Sequence, residues 1–207
     1  FNFRKILQDK PELQKCTPLS LYGCFLDIAV NGLSLDPTGR PHCYILPRST
    51  KTGYKDNNGS DIYELRAYLS ITGYGELVMR QRAGQVRYVD NPVVCYEGDT
   101  FSPGLIDGVK TVTYQAACPR KSNKVIGGFL RIVRSDGTVD WHWMMEGDIK
   151  RLEAYSFKNN QKWNPQTRQK EGKANALYTS SEGGIDPGFL ESKLIKHAFD
   201  GYPKVRT

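Results

Sequence analysis

The spacing of apolar and polar positions divides the chain into helical and alternating stretches. Residues 1 to 16 are polar with a few apolar positions and predict a short leading helix. Thr17 and Pro18 then stand as N-cap and first helical residue. Leu19, Tyr22, Phe25, Leu26 and Ala29 follow at helical spacing, and Asn31-Gly32 supplies a stop. This mostly apolar helix is expected to be buried on one side. The segment HCYILP predicts a short strand ending at Pro47, and residues 48 to 61 a polar loop or hairpin tip carrying Arg48, Lys51 and Lys55. YELRAYLSIT is the clearest strand. Leu65, Ala67, Leu69 and Ile71 face one way, and Glu64, Arg66, Tyr68 and Ser70 the other.

Residues 73 to 84 predict a helix flanked by glycines, with Glu76 near its start and Arg80 and Arg82 near its end, as the helix dipole prefers. QVRYV and PVVCYEG read as strands around an Asp90-Asn91-Pro92 turn, and VKTVTYQAA alternates. SNKVIGGFLRIVRSDGTVDWHWMM reads as a hairpin turning at Ser135-Asp136-Gly137. DIKRLEAYSF predicts a helix with Ile149 and Leu152 on one face. Residues 158 to 186 are the least regular part and predict a long mobile connection. Asp186-Pro187 opens a last helix with Phe189, Leu190, Leu194, Ala198 and Phe199 as its apolar stripe. Helix, then roughly five to seven mostly antiparallel strands, then helix, is an α+β pattern.

Composition narrows the classes. At 207 residues the chain has the length of one domain, with or without an appendage. No window approaches the ~18 apolar residues of a membrane span, and no leader pattern is visible. Five scattered cysteines, none in a CxxC pair, support neither a disulfide framework nor a zinc knuckle; a reducing, intracellular setting is expected. A net charge of +7 favours a polyanion partner. Residues 108 to 135 carry Lys110, Arg120, Lys121, Lys124, Arg131 and Arg134 with no acid among them. Lys158, Lys162, Arg168, Lys170 and Lys173 are opposed only by Glu171.

A search for reactive motifs returns little. There is no GxxxxGK[ST] phosphate loop, no dinucleotide fingerprint and no GxSxG, so ATP use is not expected. His42, His142 and His197 share no ligand-like spacing. Glu97 with Asp99, and Glu146 with Asp148, are the carboxylate pairs a metal nuclease would need, but a turn cap and a helix start use the same residues. Trp141 and Trp143 fall on one strand face, as core, interface or stacking platform. Binding of single strands asks for cations along a path with aromatics beside them. Arg66 with Tyr68, Arg80, Arg82, Arg87 with Tyr88, and Lys110 with Tyr114 are candidates of that type.

The run GELVMRQRAGQVRYVDNPVVCYEGDTF carries a resemblance. Gly75, Arg82, Gly84, Tyr96, Glu97, Gly98, Asp99 and Phe101 resemble the central pattern of the RecT family of phage and prophage recombinases. Gly32-Leu33, Pro37 and Tyr44 to Pro47 match upstream; Gly127, Asp136-Gly137, Met145, Ile149, Ser156, Trp163, Lys193 and Tyr202-Pro203 match downstream. Gly73-Tyr74 and Ala83 depart from the family's usual Tyr-Lys and Arg-Ser-Gly, and the connection from Trp163 to Phe189 is longer than the family's.

The resemblance implies a twisted antiparallel sheet packed against helices, similar to the Rad52-type annealing core. It implies one annealing domain over residues 1–207, with a sheet-and-helix core at 17–157, a basic connection at 158–186 and a last helix at 187–200. The family's separate C-terminal domain is expected to be absent. The implied activity is ATP-independent annealing of single-stranded DNA in phage recombination. No cofactor is expected, magnesium being permitted but not required. The implied partners are single-stranded and annealed DNA, further copies in a ring or helical filament, a 5′-to-3′ exonuclease and the host single-strand binding protein, in the bacterial cytoplasm. Arg66, Arg80, Arg82, Arg87, Lys110, Arg131, Lys193 and Lys196 are the phosphate candidates. Tyr68, Tyr74, Tyr88 and Trp163 are candidates for stacking or interface, while Gly75, Gly84, Tyr96, Gly98, Asp99 and Phe101 form the structural motif. A strand-coating protein that does not anneal, a metal-dependent nuclease and a self-assembling scaffold are the rival readings.

Overall fold

The computed structural model describes residues 2–203, which fall into two compact units. The first holds the chain up to Ala83 together with Tyr202 and Pro203; the second holds Gly84–Gly201. Each has its own antiparallel pairing, so the expected single sheet is replaced by separate ones. The fold is α+β.

In the first unit α1 (Asn2–Asp9), α2 (Pro11–Gln14) and α3 (Pro18–Val30) precede a long hairpin of β1 (Cys43–Lys55) and β2 (Asp61–Ile71), followed by α4 (Gly73–Arg82). Leu13, Cys16, Cys24, Leu33, Leu35, Cys43 and Ile45 form the core, with Leu65, Ala67, Leu69, Ile71 and Met79 packed against it. The alternation read in YELRAYLSIT is therefore the alternation of the fold.

Two expectations change here. β1 does not end at Pro47, which lies opposite Ala67 within the ladder. Among the described residues β1 pairs with β2 alone, and proline is tolerated on such an edge. The tip is Asp56–Ser60, where the Asp56 carboxylate accepts from the backbone of Asn58 and Ser60. In α3 the stripe Leu19, Tyr22, Phe25, Leu26 and Ala29 points to solvent, while Leu21, Cys24 and Ile28 face the core. The helix is apolar on both sides, so periodicity cannot choose between them. The choice is made by polar anchors: Thr17 N–H donates to Leu65 O at 2.9 Å, and Ala67 N–H donates to Ser20 Oγ at 2.9 Å. Fixing Ser20 on β2 brings the residues four and eight positions later inward.

In the second unit β7 (Val125–Arg134) is central and β8 (Val139–Met145) lies along one side of it. β3 (Val86–Val89) and β4 (Val93–Tyr96) follow one another along the other side. Asp90-Asn91-Pro92 is thus a break in one edge line, not a turn between paired strands. β5 (Thr100–Ile106) and β6 (Val109–Gln115) make a separate hairpin. Its turn is Asp107-Gly108, both at positive φ (50° and 78°), as a tight primed turn requires. β5 goes unseen in the sequence because Pro103 and Gly104 interrupt it, although Asp-Gly is a usable hairpin signal.

α5 (Glu146–Asn160) and α6 (Pro187–Ala198) complete a core of Val125, Met144, Ile149, Tyr178, Ile185, Leu190 and Leu194. Gly128 admits α6 closely: a Cβ there would lie 2.9 Å from Leu194 Cδ1 and 2.8 Å from Val93 O. Residues 158 to 186 are not structureless. They hold a small hairpin, β9 (Lys162–Asn164) with β10 (Gln169–Glu171), and a 3-10 turn at Ala176–Tyr178, anchored by buried Tyr178 and Ile185.

Candidate nucleic-acid interface

The solvent face of β1–β2 sets Tyr44, Leu46, Arg48 and Thr50 opposite Ser70, Tyr68, Arg66 and Glu64. Arg48 and Arg66 are direct cross-strand neighbours. Like charges so placed destabilise an antiparallel pair unless something answers them. Arg48 lies over the Tyr68 ring, 4.2 Å from its centroid, and Arg66 pairs with Glu64. Both guanidiniums remain largely exposed, as do Tyr44 and Tyr68. Towards the tip, Lys51 sits opposite Tyr63 and pairs with Asp61 at 2.7 Å, while Tyr54 and Lys55 are open to solvent. Guanidinium donors beside aromatic faces can hold a phosphate and a base at once.

α4 removes two candidates from that face. The Arg80 side chain is 1% exposed; it pairs with Glu76 at 3.0 Å and donates to Pro203 O at 2.8 Å. Arg80 is an internal clasp, hidden from phosphate. Arg82 donates to the carbonyls of Asn31 and Gly32, so it satisfies the C-terminal end of α3, not Glu76 or Asp99. Tyr74 packs edge-on to His42 at 5.4 Å. The His42 Nδ1 accepts from Ser34 N–H at 3.0 Å, and burial, then Arg82, holds its pKa below the ordinary value. Gly75 follows the Thr72 cap, and a Cβ at Gly75 would run into the His42 carbonyl.

In the second unit the acid-free run of residues 108 to 135 is largely neutralised by acids from elsewhere in the chain. Asp140 takes Lys110 at 3.2 Å and Arg134 at 3.3 Å; Asp90 takes Arg131 at 3.1 Å; Glu97 takes Lys124 at 3.7 Å. Lys110 also donates to Trp141 O, and Arg120 stacks 3.7 Å from the Tyr96 ring centroid. Arg87 and Tyr88 are exposed on β3. Lys193 is half-buried over the Phe189 ring at 4.8 Å, and burial, then Lys196, lowers its pKa; Lys196 is exposed.

The β9–β10 hairpin keeps its cations. Trp163 is 61% exposed and stands opposite Lys170. Glu171, the acid in this stretch, accepts from Asn164 at 2.9 Å and from Thr167. Lys158, Lys162, Arg168, Lys170 and Lys173 are exposed, and among the described residues none of them forms an ion pair.

The carboxylate pairs have structural partners. Asp99 accepts from Tyr96 N–H at 2.8 Å, Ala117 N–H at 2.8 Å and Tyr114 OH at 3.0 Å. Burial opposes the charge on Asp99, but those bonds outweigh it and its pKa lies below the ordinary carboxylate value. Burial, then Asp99, pushes Tyr114 up to about 12. Gly98 supports this turn at φ 97°, and Gly84 opens the second unit at φ 67°. Phe101 stacks on Phe129 at 5.8 Å. Asp148 accepts from Met145 N–H at the start of α5, and Glu146 pairs with Lys150. Among the described residues no three His, Cys, Asp or Glu side chains gather as a metal site would require. No helix among them is long and apolar enough to cross a membrane.

The two candidate patches are thus the β1–β2 face and the β9–β10 hairpin, each within its own unit. The phosphate candidate Arg66 and the stacking candidate Tyr68 share the solvent face of β2, and the fold adds Arg48, expected in a loop, over the Tyr68 ring. The signal for Arg48 was the alternation Tyr44, Leu46, Arg48, Thr50 continuing past Pro47. Compared with known proteins, the chain finds no match among curated sequences. A family model, that of the RecT family, matches residues 2–175, most of the chain.

Proposed function

Because the chain belongs to the RecT family, with its general role in single-stranded DNA binding and annealing during recombination, we propose that it pairs complementary strands without ATP and without a covalent step. The observation that carries this reading is the Arg48–Arg66 cross-strand pair with Tyr68 beside it. A phosphate reaching these guanidiniums gains charge-assisted hydrogen bonds, drawing Arg66 from a surface pair with Glu64 that is worth only about 0–1 kcal/mol. Tyr44 and Tyr68 offer ring faces to sugar or base, and the Trp163 hairpin offers a second cationic contact. Base edges stay free, so a complementary strand tests register by pairing and the protein supplies charge neutralisation. Adjoining copies in a ring or filament extend the contact along the strand. Magnesium is not needed for this chemistry. A 5′-to-3′ exonuclease that exposes single strands and a host single-strand binding protein are the partners it calls for, in a bacterial cytoplasm. Likeness to the Rad52-type core is part of the same proposal.

The test is binding of labelled single-stranded DNA by wild type and by Arg48→Ala/Arg66→Ala at several salt concentrations. Each lost phosphate contact lowers the slope of log K against log salt by about 0.7. An unchanged slope and affinity would contradict the site.

A further inference from the structure

We propose that the outer face of α3 is a docking surface for a second copy of this chain, and that the occupant is the tip of that copy's β5–β6 hairpin. The proposal rests on the reading above in that DNA gathers the copies.

α3 is an unusual surface helix. One charged side chain, Asp27, occurs in its thirteen residues, and it sits to the side of the outward stripe. That stripe exposes Leu19 at 80%, Tyr22 at 58%, Phe25 at 45%, Leu26 at 41% and Val30 at 51%. Leu19, Tyr22, Leu26 and Ala29 repeat at three-four-three spacing, a continuous ridge for packing. A helix whose outer stripe is as apolar as its core face is normally covered on both. The fold covers the Leu21, Cys24 and Ile28 face, and Phe3 of α1 packs edge-on against Phe25 at 5.4 Å, which leaves Leu19, Tyr22, Leu26 and Val30 open.

Charge selects the occupant. Copies of a chain with net charge +7 repel, so they meet most cheaply through faces without cations. The exposed aromatics of β1–β2 are interleaved with Arg48, Lys51, Lys55 and Arg66, a pattern suited to nucleic acid. The tip of β5–β6 is different: Leu105, Ile106 and Val109 are 67%, 63% and 58% exposed. The neighbouring Lys110 ammonium is engaged by Asp140 and the Trp141 carbonyl. Tip and stripe are two different patches, so their contact is heterologous and propagates instead of closing at two copies. A lane along a strand needs that form of contact.

Area fixes the strength. At ordinary side-chain areas the exposed apolar surface is about 400 Å² on the stripe and about 200 Å² on the tip. The total is at most about 600 Å² of apolar surface, below the roughly 700 Å² of apolar area in the smallest specific stable interfaces. The contact is therefore weak between free copies and becomes effective when a DNA strand raises their local concentration.

A photo-crosslinking residue in place of Tyr22 tests the contact directly, with free protein, a short oligonucleotide that holds one copy, and a long single strand. The expected crosslinks join copies, map to residues 105–109 and rise with the long strand. Leu19→Gln/Leu26→Gln, and independently Ile106→Gln, keep the charge and sit on exposed positions. Each is expected to keep its melting temperature and its affinity for the short oligonucleotide. Each should lose at least about tenfold in apparent affinity for the long strand. Crosslinks elsewhere, or to a different protein, overturn the proposal, as does assembly of both variants at wild-type affinity. Absence of binding to the short oligonucleotide by wild type would instead overturn the DNA-binding reading.

Discussion

Arg80 and Arg48 show how one residue type serves two ends of this molecule. Arg80 is buried against Glu76 and the Pro203 carbonyl, whereas Arg48 stands in solvent over Tyr68. Arg80→Ala leaves Glu76 without its partner in a largely buried setting and is expected to cost about 3–5 kcal/mol in urea unfolding. Its folded fraction should keep wild-type DNA affinity. Arg48→Ala should do the reverse, weakening DNA binding with stability within about 0.5 kcal/mol of wild type. His142 supplies a pH test. Burial, then the charges of His197 and Lys110, holds its pKa down to about 4, and its Nε2 has no hydrogen-bond partner among the described residues. Between pH 6.5 and about 4 the unfolded chain binds a proton there that the folded chain refuses. Stability contributed by neutral His142 is therefore complete above pH 6.5 and fades as pH falls towards 4. Unfolding free energies measured across that window should show a shallower fall in His142→Gln than in wild type.

At the scale of elements, close approach and anchoring decide what periodicity leaves open. Gly75→Ala would push a methyl group into the His42 carbonyl beside the Thr72 cap. A loss of about 1–3 kcal/mol is expected in denaturant titration, because the obstacle is backbone and cannot rotate away. The β2 alternation and the Asp186 cap of α6 were legible in the sequence because they are local, whereas Thr17 stands at the start of α3 without a side-chain capping bond. The burying face of α3 was not legible, because Ser20 reaches a strand residue 47 positions away. Asp90-Asn91-Pro92 looked like a turn because a broken edge strand and a hairpin carry the same residues; only pairing of both halves with β7 separates them.

Across the whole molecule, charge counted along the chain and charge in space differ. Four of the six cations in the run of residues 108 to 135 pair with Asp90, Glu97 or Asp140, and Arg120 lies over the Tyr96 ring. The site that remains was half visible: Arg66 and Tyr68 followed from alternation, while Arg48 needed β1 to run through Pro47. The residues that carried the resemblance have structural work in this chain: Gly84 and Gly98 adopt positive φ, Asp99 ties a turn and Phe101 stacks on Phe129. Strand pairing itself is the most direct test of the proposed function. Two complementary labelled oligonucleotides mixed with stoichiometric protein and no nucleotide cofactor should anneal faster than without protein. Arg48→Ala/Arg66→Ala should remove most of that acceleration, and wild type should lose it as salt rises. Binding by wild type with no acceleration, or acceleration indifferent to both arginines and to salt, would contradict it.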